Sequence, residues 1–248
     1  SNLPCTFSQE VKFYDAGNIL CDEISMEEGQ RILGVAVEKI LALHLFRIVL
    51  GGGPETTFGH FLGPMADMKK AEEPLRMGIT NFDAHFDLRP YDNGPSSGSM
   101  FRQIGDIYKK EQEEFHYLPL GIQEHSNTVS LFKYAKETGA DYILAREIQD
   151  ANYAVILEKI DTFLSKCDSV YITICSDVFS AAFAPGVSAT QALGLDPEVV
   201  LPILKHILRT RKVRGFDICE ISPRFDVDNT TGKLGAVLIF AVVNSLCK

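Results

Sequence analysis

Short apolar runs alternate with longer segments of helical periodicity along most of this 248-residue chain. The runs Arg47–Leu50, Met77–Phe82, Phe115–Leu120, Tyr142–Leu144, Val170–Ile174 and Val213–Ile221 are bounded by turn-formers and read as strands. Val11–Tyr14 reads as one more short strand. Helices are expected over residues 127–138, 151–165, 196–209 and 231–247, and also after Pro54 and after Ser99. Ser25-Met26-Glu27-Glu28 is a capping box. It opens a helix whose apolar face is Met26, Ile32, Leu33, Val37, Ile40 and Leu41. Strands alternating with helices predict an α/β fold of three layers, α/β/α, with a mainly parallel sheet. One domain over 1–248 fits the length, with ligands gathered at the carboxyl ends of the strands.

The most informative stretch follows the run ending at Phe82. It places Asp83, His85 and Asp87 at alternate positions. On extended backbone such residues point the same way, so two carboxylates and an imidazole are expected to converge. Hard divalent ions take oxygen donors with an occasional imidazole.

Two further stretches join this one. Residues 48–63 read Ile-Val-Leu-Gly-Gly-Gly-Pro-Glu-Thr-Thr-Phe-Gly-His-Phe-Leu-Gly, and residues 173–188 read Thr-Ile-Cys-Ser-Asp-Val-Phe-Ser-Ala-Ala-Phe-Ala-Pro-Gly-Val-Ser. With Asp-Ala-His-Phe-Asp they resemble, in order, the three signature blocks of the ureohydrolases (arginase, agmatinase and formimidoylglutamase). Ser97–Gln103, Leu120–Gln123 and Ser222–Asn229 resemble the formimidoylglutamase branch most. The resemblance implies an arginase-like fold. It also implies two Mn²⁺ ions at the carboxyl ends of the sheet, with a bridging water acidic enough to attack an amidine carbon. The reaction implied is hydrolysis of N-formimidoyl-L-glutamate to L-glutamate and formamide, in histidine breakdown. A homo-oligomer is implied as well. So are a strand, a glycine-rich loop and a helix ahead of the equivalent of Tyr14, so the N-terminal part of the fold is expected to be missing and one sheet edge open.

The family pattern has six metal ligands, and this chain keeps four of them: Asp83, His85, Asp87 and Asp177. Pro54 stands where the family has a histidine, and Cys175 where it has the first aspartate of Asp-x-Asp. Ser180-Ala181 replaces an Asp-Pro. One metal position then keeps Asp83, His85 and Asp177 with Cys175 nearby, and the other keeps Asp83 and Asp87. A thiolate suits Zn²⁺ better than Mn²⁺. At most one tightly held ion is expected, Mn²⁺ by resemblance or Zn²⁺.

The resemblance further assigns catalysis to Asp87 and Glu220, and substrate contact to Glu220, Ser97 and Arg102. A carboxylate at Glu220 suits an amidinium by paired hydrogen bonds; a strand-end salt bridge is the alternative. Arg102 or Arg89 would take the substrate carboxylates, while Arg89 has a surface partner available in Asp92. His60, nearly two turns beyond Pro54, reads as a packed or hydrogen-bonded histidine.

Composition narrows the classes. Apolar residues are 46%, charged residues 23% and the net charge is −9, which disfavours nucleic acid and anionic membrane as partners. No apolar run reaches the length of a membrane span. Six scattered cysteines (5, 21, 167, 175, 219, 247) read as reduced thiols in a cytoplasmic protein, Cys219 and Cys247 serving packing. Two alternatives to the hydrolase remain: a non-catalytic relative serving binding or assembly, and an amidine or amide hydrolase rebuilt around one Zn²⁺.

Overall fold

The computed structural model describes residues 11–72, 74, 76–150 and 153–247. Six strands form one sheet: β1 (Arg47–Leu50), β2 (Met77–Phe82), β3 (Tyr117–Ile122), β4 (Ile143–Leu144), β5 (Ser169–Cys175) and β6 (Val213–Cys219). All pairings are parallel, in the order β1-β6-β5-β2-β3-β4. Every residue of β2 and β3 is buried, as both-face coverage requires.

Eight helices fill the intervals among the described residues: α1 (Met26–Leu41), α2 (Glu55–Lys70), α3 (Met100–Lys110), α4 (Val129–Glu137), α5 (Ala145–Asp150), α6 (Tyr153–Ser165), α7 (Pro197–Arg209) and α8 (Thr230–Leu246). On one face, Ile160, Leu204 and Leu238 from α6, α7 and α8 pack on Phe82, Ile172 and Phe216. On the other, Phe61, Ile104 and Leu131 from α2, α3 and α4 pack on Ile79, Tyr117 and Tyr171. The expected three-layer α/β/α architecture is therefore present.

Several local expectations need correction. Residues 11–14 carry no strand, and Phe13 and Tyr14 are exposed. β3 begins at Tyr117 rather than Phe115, because pairing with β2 starts where Tyr117 meets Ile79. α5 was not anticipated, being shorter than two helical turns. Residues 151–152, the start of the expected 151–165 helix, and Cys5 lie outside the described residues. Ser25 caps α1 by accepting from the Glu28 N–H at 3.2 Å, but the Glu28 carboxylate turns to Arg31 at 2.7 Å instead of closing the box. The buried stripe of α1 is Gly29, Gln30, Gly34 and Val37, flanked by the larger apolar residues. A Cβ at Gly34 would lie 2.9 Å from Leu62 Cβ, and one at Gly59 would lie 2.9 Å from Gln30 Cα, so α1 and α2 approach closely through glycine.

A buried ionic chain crosses the sheet beneath α2. Arg47 Nε donates to His60 Nε2 at 3.1 Å, so Nδ1 carries the ring proton and meets Asp217 Oδ2 at 3.1 Å. Thr57 Oγ1 lies 3.4 Å from Asp217 Oδ1 and 3.1 Å from Thr173 Oγ1. Burial, then the Arg47 charge, holds His60 well below the usual imidazole range. His60 is thus packed and hydrogen-bonded.

Candidate metal centre

β2 ends at Phe82, so Asp83–Asp87 is loop and not the extended strand the alternation implied. Asp83 and His85 still converge, through a turn in which Asp83 Oδ1 accepts the His85 N–H at 2.7 Å. Asn81 Nδ2 donates to Asp83 Oδ2 at 3.2 Å and to Tyr117 Oη at 3.1 Å. Asn127 stitches the loop from outside, accepting from the Phe86 N–H at 3.0 Å and donating to Ala84 O at 2.8 Å. Gly121, at φ +102, leaves room for Val178 and for the Asp83 carbonyl, where a side chain would collide.

Asp177 follows β5 in a single turn of 3₁₀-helix, Ser176–Val178. His85 Nδ1 lies 3.0 Å from Asp177 Oδ2 and 3.4 Å from Asp83 Oδ1. Ligand atoms of Asp83, His85 and Asp177 all fall within 4.8 Å of one another. Burial opposes a charge on His85, yet hydrogen bonds to Asp177 and Asp83 outweigh it and hold the imidazolium up to about 11. Burial, with Asp83 beside it, lifts Asp177 to about 6. Among the described residues, the buried Asp177 Oδ1 has no hydrogen-bond partner. Two carboxylates, one of them with an orphaned buried oxygen, and an imidazole are a donor set that fits one divalent cation.

The other predicted residues are placed as follows. Asp87 is buried beside this cluster without entering its set of ligand atoms, and its backbone turns to φ +50. Burial and then the Asp83 charge raise its carboxyl well above the usual range. Cys175 ends β5 in register with Cys219 on β6, and burial and the Cys219 thiol push its own thiol up. It neighbours Asp177 but stands outside the three-residue cluster. Pro54 heads α2 and offers no donor. Arg102 lies 4.1 Å over the Tyr134 ring, Ser97 is exposed in its loop, and Glu220 bonds to Ser188. Among the described residues Arg89 makes no ion pair with Asp92; its side chain lies against Gly98. Sequence reasoning missed Asn81, Asn127 and Ser188. Asn81 could have been found, standing two residues before Asp83, whereas Asn127 acts across 41 residues with no local signal.

A three-layer fold on a parallel sheet, with a carboxylate–imidazole cluster at the sheet's carboxyl edge, defines an α/β protein with a candidate metal centre. The sequence profile of the arginase family matches residues 2–244, and the chain belongs to that family. It is 53% identical to a formimidoylglutamase of Clostridium tetani over 249 residues, covering all of this chain and 74% of that protein. It is 41% identical to one from Streptococcus pyogenes, covering all of this chain and 75% of that protein. The fold is shared with the formimidoylglutamase of Bacillus subtilis (TM-score 0.80, 23% identity, 92% of this chain and 70% of that one). It is shared also with a Trypanosoma cruzi formiminoglutamase crystallised with Mn²⁺ (TM-score 0.83, 22% identity, 97% and 78%). Among the described residues no helix is long and apolar enough to cross a membrane.

Proposed function

We propose that this chain is a formimidoylglutamase-type hydrolase, in which N-formimidoyl-L-glutamate and water give L-glutamate and formamide in histidine breakdown. The reading is carried by the Asp83–His85–Asp177 cluster with its partnerless Asp177 oxygen. Identity of 53% over the whole chain to a formimidoylglutamase supports it. Those three residues would hold one Mn²⁺ or Zn²⁺, which supplies Lewis acidity toward water and the amidine carbon. Asn81 and the His85 N–H hold Asp83 in place. Asp87, buried beside the cluster, takes the proton from the attacking water and returns it to the departing nitrogen. Glu220 meets the cationic end of the substrate and Arg102, with Ser97 nearby, its carboxylates. A homo-oligomer in the cytoplasm goes with this reading.

Pro54 and Cys175 favour a second reading. The other metal position keeps Asp83 and Asp87 alone, so activity is weak or lost and the chain serves binding or assembly, or works as a single-metal amidine hydrolase. Elemental mass spectrometry after Mn²⁺ or Zn²⁺ loading and desalting tests both. One ion per chain, lost in Asp177→Asn, is expected. Two would show that other groups replace Pro54 and Cys175; none would remove the catalyst and the hydrolase reading with it.

A further inference from the structure

We propose that Ser188 is a positioning residue: it anchors one oxygen of the Glu220 carboxylate and leaves the other to receive a cationic N–H of an amidinium ligand. The inference rests on the assignment of Glu220 to the substrate's cationic end made above. Glu220 stands one residue past the Cys175–Cys219 register pair, and so beside the strand that delivers Asp177. Its backbone leaves β6 at φ +60, a conformation that L side chains rarely adopt. The turn is fixed by its N–H, which donates to Gly52 O at 2.7 Å. Strain of this kind in a non-glycine residue concentrates at binding sites.

The carboxylate then meets the segment that follows Asp177. Ser188 Oγ donates to Glu220 Oε2 at 2.6 Å, and the Ser188 N–H approaches the same oxygen at 3.4 Å. Among the described residues Oε1 accepts no hydrogen bond, and no Lys, Arg or His pairs with Glu220. The salt-bridge alternative for Glu220 therefore finds no partner. A carboxylate with one oxygen held and no fixed cation keeps its charge for a cationic ligand.

The segment bearing Ser188 is itself clamped. On one side the Gly186 N–H donates to Thr231 Oγ1 and the Ser222 N–H to Gly186 O, each at 2.7 Å. On the other, Gln123 Nε2 donates to Leu193 O at 2.6 Å and Ser126 Oγ to Gln191 Oε1 at 2.9 Å. The hydroxyl is thus presented from a rigid strap, which is what preorganisation requires.

Calorimetric titration of the full chain in Mn²⁺ provides the test, with N-formimidoyl-L-glutamate as ligand and L-glutamate as the control lacking an amidinium. Glu220→Gln is expected to bind the amidinium ligand about tenfold more weakly, and Ser188→Ala about fivefold, with L-glutamate unaffected in both. Ser188→Thr, which keeps the hydroxyl, should stay within about twofold of the unsubstituted chain. If Glu220→Gln weakens binding and Ser188→Ala does not, the Ser188 role is overturned and the Glu220 assignment stands. Equal weakening of both ligands by Ser188→Ala would mark a merely structural contact and also overturn it. An unaffected Glu220→Gln, or no binding by the unsubstituted chain, overturns both assignments.

Discussion

At the scale of single residues, the charges held out of water decide the most. His60 separates a guanidinium from a carboxylate in a site none of the three shares with solvent. Removing its ring leaves the Arg47 guanidinium and the Asp217 carboxyl, which burial pushes well above the usual range, without their shared partner, and orphaning buried groups from one side destabilises far more than the contact contributes. His60→Ala is expected to lower unfolding free energy by about 3 kcal/mol or more, read by urea at pH 7. The same residue sets an acid limit. Its folded pKa lies below the ordinary 6.5, so the unfolded chain binds the extra proton and stability falls as pH drops below that value. Between pH 7.5 and 5.5 the original chain should therefore lose stability more steeply than His60→Gln. The difference in slope is bounded by about 1.4 kcal/mol per pH unit. A shallower slope in the original chain would contradict the neutral assignment.

Among elements, glycine contacts decide how tightly α1 rides on α2. A Cβ at Gly63 would run into the Val37 side chain and crowd the Glu38 N–H. Alanine gains about 1 kcal/mol of helix propensity over glycine, but overpacking a close helix contact costs about 1–3 kcal/mol. Gly63→Ala should therefore destabilise, visible as a lower urea midpoint at unchanged slope; a gain would mean that α1 can shift outward freely. This contact was illegible in the sequence because hydrophobic periodicity weighs large residues, and the centre of the α1 stripe is Gly29 and Gly34. Strands fared better, since β2 and β5 are largely apolar runs buried along almost their whole length. β3 was read early because Phe115 and His116 extend the run before pairing with β2 begins at Tyr117. The Asp83 N–H donates to Leu120 O and the Asp141 N–H to Tyr117 O, so Pro119 turns its ring nitrogen to the β4 side. There β4 is only Ile143–Leu144, so Pro119 stands ahead of the paired residues Leu120 and Ile122. In the site, alternation found Asp83 and His85, although the loop that joins them is not extended. Asp177 needed the family resemblance, because nothing local ties an aspartate in the turn after β5 to the loop after β2. Ser188 was invisible, its role depending on a positive φ 32 residues away.

For the whole molecule, the donor count at the carboxyl edge sets what the fold can hold. If the remaining frame still matches a two-metal centre, Pro54→His with Cys175→Asp should raise the ion content from one to two per chain in Mn²⁺, with faster formamide release. Two ions without turnover would sink the substrate assignment and spare the metal site. The sheet that carries this edge faces one problem of its own. Among the described residues β1 is an outer strand of four residues paired only with β6, and Leu50 at its end is 70% exposed. Few backbone bonds of its own oppose sliding. Yet Arg47 also donates from Nη1 to Arg214 O at 2.8 Å while its Nε holds His60. A slip of two residues along β6 would keep the pleat and most ladder bonds but drag the buried guanidinium off His60 and Arg214 O. The ionic chain thus acts as a proofreader of assembly: it adds little to the finished fold compared with the penalty it imposes on each misaligned one.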